Sequence, residues 1–152
     1  MRVVIYIVIL AALFLAPLQR VEIANLEPIQ AVWVYTENET VFLETDTEDK
    51  GSGTTVADAL ADMKRNSSGI VYLDTAQYLF VSPSATESVA ALQPYLKDSV
   101  QLCIWNGQGK MQDAVKYADS HKIGIKMKQW KGVGNLPELP PVKQENSGKI
   151  TS

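Results

Sequence analysis

Only a few side chains in this 152-residue chain could carry chemistry, and the thiol and imidazole are single: Cys103 and His121. Nucleophilic catalysis needs a nucleophile beside a base. Cys103 stands between Leu102 and Ile104 in an apolar run, where a buried, inert thiol is expected. His121 closes a helix-patterned stretch, where a cation suits the helix dipole. Nothing in the spacing joins the two, so no catalytic residue is assigned. The acidic run Asp46, Glu48, Asp49 ahead of Gly51 offers oxygen ligands, but it lacks the alternating spacing and the bidentate Glu of a calcium-binding EF-hand loop. A solvated loop is the simpler reading. Gly107-Gln108-Gly109-Lys110 precedes a helix pattern and could turn backbone N–H groups toward an anion. It has neither P-loop nor GxGxxG spacing, and a turn that starts a helix also explains it. Asp46, Glu48, Asp49, Gly107 and Gly109 therefore stand as candidate binding residues, with no metal or cofactor expected. Trp33, Trp105 and Trp130 each read as strand residues explained by packing.

The elements that must position these residues follow from periodicity. Ile29 to Thr36 is rich in β-branched and aromatic residues and reads as a strand. Glu37-Asn38-Glu39 reads as a hairpin turn, Thr40 to Thr45 as its partner strand, and Asp46 to Gly53 as a loop. Thr55 with Asp58 three residues on resembles a capping box, opening a helix with Val56, Leu60 and Met63 on one face. The continuous apolar runs Ile70 to Leu73 and Tyr78 to Val81 read as buried strands. Ser84 with Glu87 starts a second helix that Pro94 should kink. Val100 to Trp105 is a further strand, and Met111, Val115 and Ala118 face inward from a third helix. Ile123, Ile125 and Met127 alternate with lysines, as in an edge strand. The expected class is α/β (α+β): a mixed sheet with about three packed helices in the order β-β-α-β-β-α-β-α-β.

The amino terminus carries an address. After Met1-Arg2, residues Val3 to Leu18 form an uncharged run of 16 residues. As a helix it would reach about 24 Å, a little short of a hydrocarbon core of roughly 30 Å. Small residues at both −1 and −3 are missing at the plausible cleavage points, which favours a retained signal-anchor over a cleaved signal peptide. The expected organisation is a signal peptide or anchor over 1–20, a linker over 21–28, an extracytoplasmic domain over 29–131 and a flexible tail over 132–152. The expected location is a cell membrane, single pass with the carboxyl-terminal domain outside, or alternatively secretion. Partners would be the membrane through Val3 to Leu18 and a protein of the envelope.

Composition narrows the class further. With 46% hydrophobic and 20% charged residues the chain is globular. A lone cysteine excludes an intrachain disulfide framework and points weakly to a bacterial source. Setting aside Arg2 and Arg20 leaves 12 basic against 17 acidic residues, which argues against a nucleic-acid partner. Seven lysines from Lys97 to Lys131 are interspersed with apolar residues and read as a solvated face.

From Ile29 to Ala118 the order of segments resembles the amino-terminal domain of the C-subunit family of bacterial spore-germinant receptors. The likeness is carried by AVWVYTENETVFLETD and KGSG, by TTVADALADM, by GIVYLDTAQYLFVS with ATESVAALQPYL, and by VQLCIWNGQGKMQDAV. The resemblance implies a non-enzymatic fold and carries over no catalytic residues. Family members are longer lipoproteins with a lipobox cysteine, which this sequence lacks. The functional expectation is a membrane-tethered interaction domain of a bacterial envelope, linked to sporulation or germination. The alternative is a secreted or anchored domain that binds a small ligand or envelope polymer through the acidic loop and helix N-termini.

Overall fold

The computed structural model describes residues 1–15, 28–132 and 135–141. Strands β1 (Ala31–Glu37) and β2 (Thr40–Thr45) form an antiparallel hairpin with Val32 opposite Thr45 and Glu37 opposite Thr40. Its turn places Asn38 and Glu39 at φ 47° and 63°, the left-handed pair that matches strand twist in a two-residue hairpin. β3 (Lys50–Gly53) adds antiparallel to β2. The chain continues through helix α2 (Val56–Asn66), β4 (Tyr78–Val81), helix α3 (Ser88–Leu92), β5 (Gln101–Ile104), helix α4 (Met111–His121) and β6 (Ile125–Lys126). With α1 (Arg2–Leu15) there are four α-helices among the described residues, beside a six-stranded mixed sheet ordered β3-β2-β1-β4-β5-β6. β1, β4 and β5 run parallel and the outer pairings are antiparallel, so the class is α+β as expected.

Each face of the sheet has its own core. On one, α2 and α3 set Val56, Leu60, Met63, Val89 and Leu92 against Val32, Val34, Leu43, Leu79 and Val81. On the other, Met111, Ala114 and Ala118 of α4 cover Tyr78, Phe80, Cys103 and Trp105. β4 is therefore buried at all four residues, which explains its unbroken apolar sequence. α4 leaves the β2–β3 half of that second face open: Phe42, Glu44 and Ser52 are half-buried and Lys50 is exposed. The lysines from Lys97 to Lys131 are all exposed, in keeping with a solvated face.

α2 begins as its sequence suggests. Thr55 Oγ1 accepts a hydrogen bond from the Asp58 N–H at 3.1 Å, and the Asp58 carboxylate accepts the Thr55 and Thr54 hydroxyls at 2.9 and 3.0 Å. Those hydroxyls, Thr55 first, hold the Asp58 carboxyl below its ordinary range. Thr55→Ala should cost about 1 kcal/mol, read as a lower urea midpoint at unchanged slope. An unchanged midpoint would mean that the cap does not hold this helix start.

Several expectations are corrected. Lys50–Gly53, read as the end of a loop, is the edge strand β3. Ile70 to Leu73 is not a strand: Ile70 and Tyr72 are exposed, and Leu73–Thr75 forms a single 3-10 turn. The observed order is thus β-β-β-α-β-α-β-α-β. Ser84 does not cap a long helix. Its hydroxyl donates to the Thr36 carbonyl at 3.1 Å, and the segment breaks into a 3-10 turn, the short α3 and a second turn at Gln93–Tyr95. The final strand shrinks to Ile125–Lys126, with Met127 buried in a following turn. Within the stretch read as tail, Leu136 packs on the core, Leu139 is buried, and Glu138 bridges to Ile104. Residues 142–152, and 16–27 with most of the expected linker, lie outside the described residues.

The membrane expectation is also corrected. α1 has 14 residues, about 21 Å of helix against roughly 30 Å of hydrocarbon. No helix among the described residues is long and apolar enough to cross a membrane, which overturns the single-pass signal-anchor reading of Val3 to Leu18. Ala16, Pro17 and Leu18 of that run lie outside the described residues.

Candidate functional site

The loop between β2 and β3 is held by its own side chains. Asp46 Oδ1 accepts the Gln30 and Ala31 N–H groups at 2.9 and 3.1 Å. Thr47 donates to Asp49 Oδ2 at 3.0 Å, and the Asp49 N–H donates to Thr45 Oγ1 at 3.1 Å. Asp46 and Asp49 thus brace the loop, whereas Glu48 sits exposed at its tip with φ 70°. Facing this loop is the turn from β5 into α4. There Gly107 and Gly109 take φ 79° and 89°, and the Gln108 N–H donates to Asn106 Oδ1 at 3.1 Å. Gly107 is required twice, since a Cβ there would also lie 2.4 Å from the Trp33 ring. Gln112, in the first turn of α4, ties the two loops together by donating to the Asp46 carbonyl at 3.0 Å.

Between them lies a cleft of about 870 Å³ on the open half of the sheet. Trp33, Trp105, Glu44, Lys50, Lys110 and Gln112 line it, along with Asp46, Glu48, Gly107 and Gly109. Glu44 accepts the Tyr35 hydroxyl at 3.0 Å and pairs with Lys50 at 3.5 Å. Burial first, then the Glu44 bond and the charges of Glu44 and Glu37, push the Tyr35 phenol up to about 12. Trp33 stacks on Tyr35 at 4.3 Å, Tyr35 on Phe42 at 4.9 Å, and Trp33 meets Trp105 at 5.0 Å. These ring faces are spent on one another, so the ladder works as packing. The two indole N–H groups of Trp33 and Trp105 are different: both are buried without an acceptor among the described residues. An unsatisfied buried donor costs about 1–3 kcal/mol, and native structures hold few of them.

Four of the five candidate residues therefore come together, and Asp49 remains in the loop behind them. The cleft adds Glu44, Lys110, Gln112 and the two tryptophans, whose convergence has no local signature. Cys103 is fully buried, and its Sγ contacts the Ile123 carbonyl at 3.4 Å. Burial pushes its thiol up to about 12. His121 lies exposed at the end of α4, stacked on Tyr117, with Nδ1 3.0 Å from the Tyr117 carbonyl and away from the cleft lining. Among the described residues no group of three or more His, Cys, Asp or Glu side chains could hold a metal ion. A larger hollow of about 1060 Å³ beside α3 and Trp130 adjoins residues 133–134, which lie outside the described residues, so no site is built on it. No protein family, curated protein or solved structure matches this chain.

Proposed function

We propose that this chain is a non-enzymatic binding domain for a small polar ligand, with the cleft between the acidic loop and the start of α4 as its site. One observation carries the reading. Two loops far apart in sequence converge on a hollow whose lining gathers Glu44, Glu48, Lys50, Lys110 and Gln112 around Trp33 and Trp105. A concave site with a few convergent polar groups is the usual form of a small-molecule pocket. Nitrogen-15 spectra of the full chain, recorded with mixtures of polar small molecules, test it. A ligand should move the Gly107, Gly109, Trp33 and Trp105 signals and leave the Trp130 indole in place. If no mixture moves them, the cleft is a packing feature and the proposal fails.

A second reading, an interaction domain acting through protein contacts, draws on Ile70 and Tyr72. They are 59% and 51% exposed and lie close together in sequence, an apolar pair left to solvent. An Ile70→Asp, Tyr72→Asp double variant that keeps its melting temperature and loses a co-purifying protein would favour this reading. The suggested germination setting rests on the order of segments alone. Neighbouring genes of housekeeping type would remove it.

A further inference from the structure

We propose that Asn106 is a site of spontaneous covalent modification in the folded chain, losing its side-chain amide to attack by the Gly107 nitrogen, and that the product reshapes the turn lining the cleft. The chemistry does not depend on what the cleft binds. Of the six asparagines, Asn106 alone precedes a glycine, so no Cβ crowds the nitrogen that must attack. Asn106 is exposed in the turn from β5 into α4, outside every helix and strand. Its Oδ1 accepts the Gln108 N–H at 3.1 Å, a bond that folds the side chain back over the Gly107 peptide and draws electron density from Cγ. The Gly107 N–H donates to no backbone acceptor among the described residues, so the nucleophile is not held elsewhere. The other described asparagines lack this combination. Asn66 ends α2, where the Met63 carbonyl holds the Ser67 N–H at 2.9 Å and Asp62 Oδ1 holds the Asn66 amide at 3.1 Å. Asn38 and Asn135 precede Glu39 and Leu136, whose side chains crowd the attacking nitrogen.

The Gly107 nitrogen bonds to Asn106 Cγ as the Cγ–Nδ2 bond breaks, and Nδ2 leaves as ammonia with the proton that Gly107 gives up. The resulting five-membered imide then takes up one solvent water. Opening at Cγ gives aspartate, and opening at the main-chain carbonyl carbon of residue 106 gives isoaspartate. Either product adds a negative charge to the turn that leads to Lys110. Isoaspartate also lengthens the backbone by one C–C bond, about 1.5 Å. Gly107 has little room for that shift. At φ 79° it packs so closely on Trp33 that a Cβ would come within 2.4 Å of the indole ring. Trp33 must therefore move with it, and the cleft that Trp33 shares with Glu44 and Lys110 changes shape.

Ageing the full folded chain at pH 8 and at pH 6, followed by tryptic mapping, tests this. The peptide Asp98–Lys110 should exchange its amide for a carboxyl, as aspartate and isoaspartate forms, several-fold faster than Asn66–Lys97. Conversion should be faster at pH 8, because the attacking nitrogen must shed its proton. In the aged protein the Trp33 indole signal should divide between an old and a new position, the new one growing with the isoaspartate fraction. Asn106→Ser, which keeps a hydroxyl for the Gln108 N–H, should show no conversion in that peptide and a single Trp33 signal. A folded protein that keeps Asp98–Lys110 intact, or converts it no faster than Asn66–Lys97, overturns the proposal. Conversion that leaves the Trp33 signal in place overturns the effect on the cleft. Neither result bears on ligand binding, which the spectra of fresh protein decide separately.

Discussion

Gly51→Ala should destabilise the fold by about 3 kcal/mol, a large effect for adding one methyl group. A Cβ at position 51 would sit 2.1 Å from the Ala59 carbonyl oxygen and 2.5 Å from the Met63 nitrogen. Both obstacles are backbone of α2, so no rotamer change relieves them. The helix must lift from the edge strand β3, and Ala59 and Met63, both fully buried, would lose their packing. Gly53 is built the same way, with Asp58 Cβ at 2.5 Å and the Ala59 nitrogen at 2.6 Å. The close approach also lets Asp62 Oδ2 accept the Ser52 N–H at 3.0 Å, which protects an otherwise open strand edge. Gly69→Ala is the matched control, because nothing lies within 4 Å of its added Cβ. Urea midpoints should fall sharply for Gly51→Ala and stay nearly level for Gly69→Ala. Equal midpoints for the two would mean that α2 does not rest on β3. The consequence reaches the cleft, since Lys50 of β3 pairs with Glu44 in its wall.

The same glycines show why part of the fold is hidden from sequence reading. KGSG reads as a loop because strand recognition depends on side-chain alternation, and here bare backbone is what the helix needs. The hairpin was legible from its β-branched and aromatic residues, and β4 from its unbroken apolar run. Ile70 to Leu73 has the same local pattern as β4 without the same environment. β4 takes the place between β1 and β5, whereas Ile70 to Leu73 pairs with no strand and Ile70 and Tyr72 turn outward. The candidate site divides in the same way. Asp46, Glu48, Gly107 and Gly109 stood out through local chemistry, and the topology brings them together. Trp33 and Trp105 were assigned to packing, and their stacking bears that out. Trp130, also read as a strand residue, instead follows the 3-10 turn Met127–Gln129 and packs partly buried on the core. The unsatisfied N–H groups of Trp33 and Trp105 depend on which acceptors the fold fails to supply, a tertiary property that residue type and spacing do not encode.

Alkaline pH should weaken the protein steeply, with Cys103 as the main cause. Burial raises its thiol from an ordinary 9.0 to about 12 in the folded chain. Below pH 9 both states hold the proton, and the thiol leaves stability independent of pH. Above pH 9 the unfolded chain releases the proton while the folded chain keeps it. Stability therefore falls by about 1.4 kcal/mol per pH unit until the folded thiol titrates near 12. Tyr35, pushed up to about 12, and Tyr78, raised by burial and by Asp119, add to the loss in the same direction above pH 10. Denaturant unfolding from pH 7 to 11 reads the slope, and Cys103→Ala should remove its share while leaving the tyrosine share above pH 10. The same burial predicts a thiol that reacts with iodoacetamide at pH 8 no faster than the protein opens. A wild-type slope that stays flat between pH 9 and 10, or rapid labelling of the native protein, would mean that the thiol is open to water. That would place a gap between β5 and the Ile123 turn, where the core of the second sheet face is packed shut.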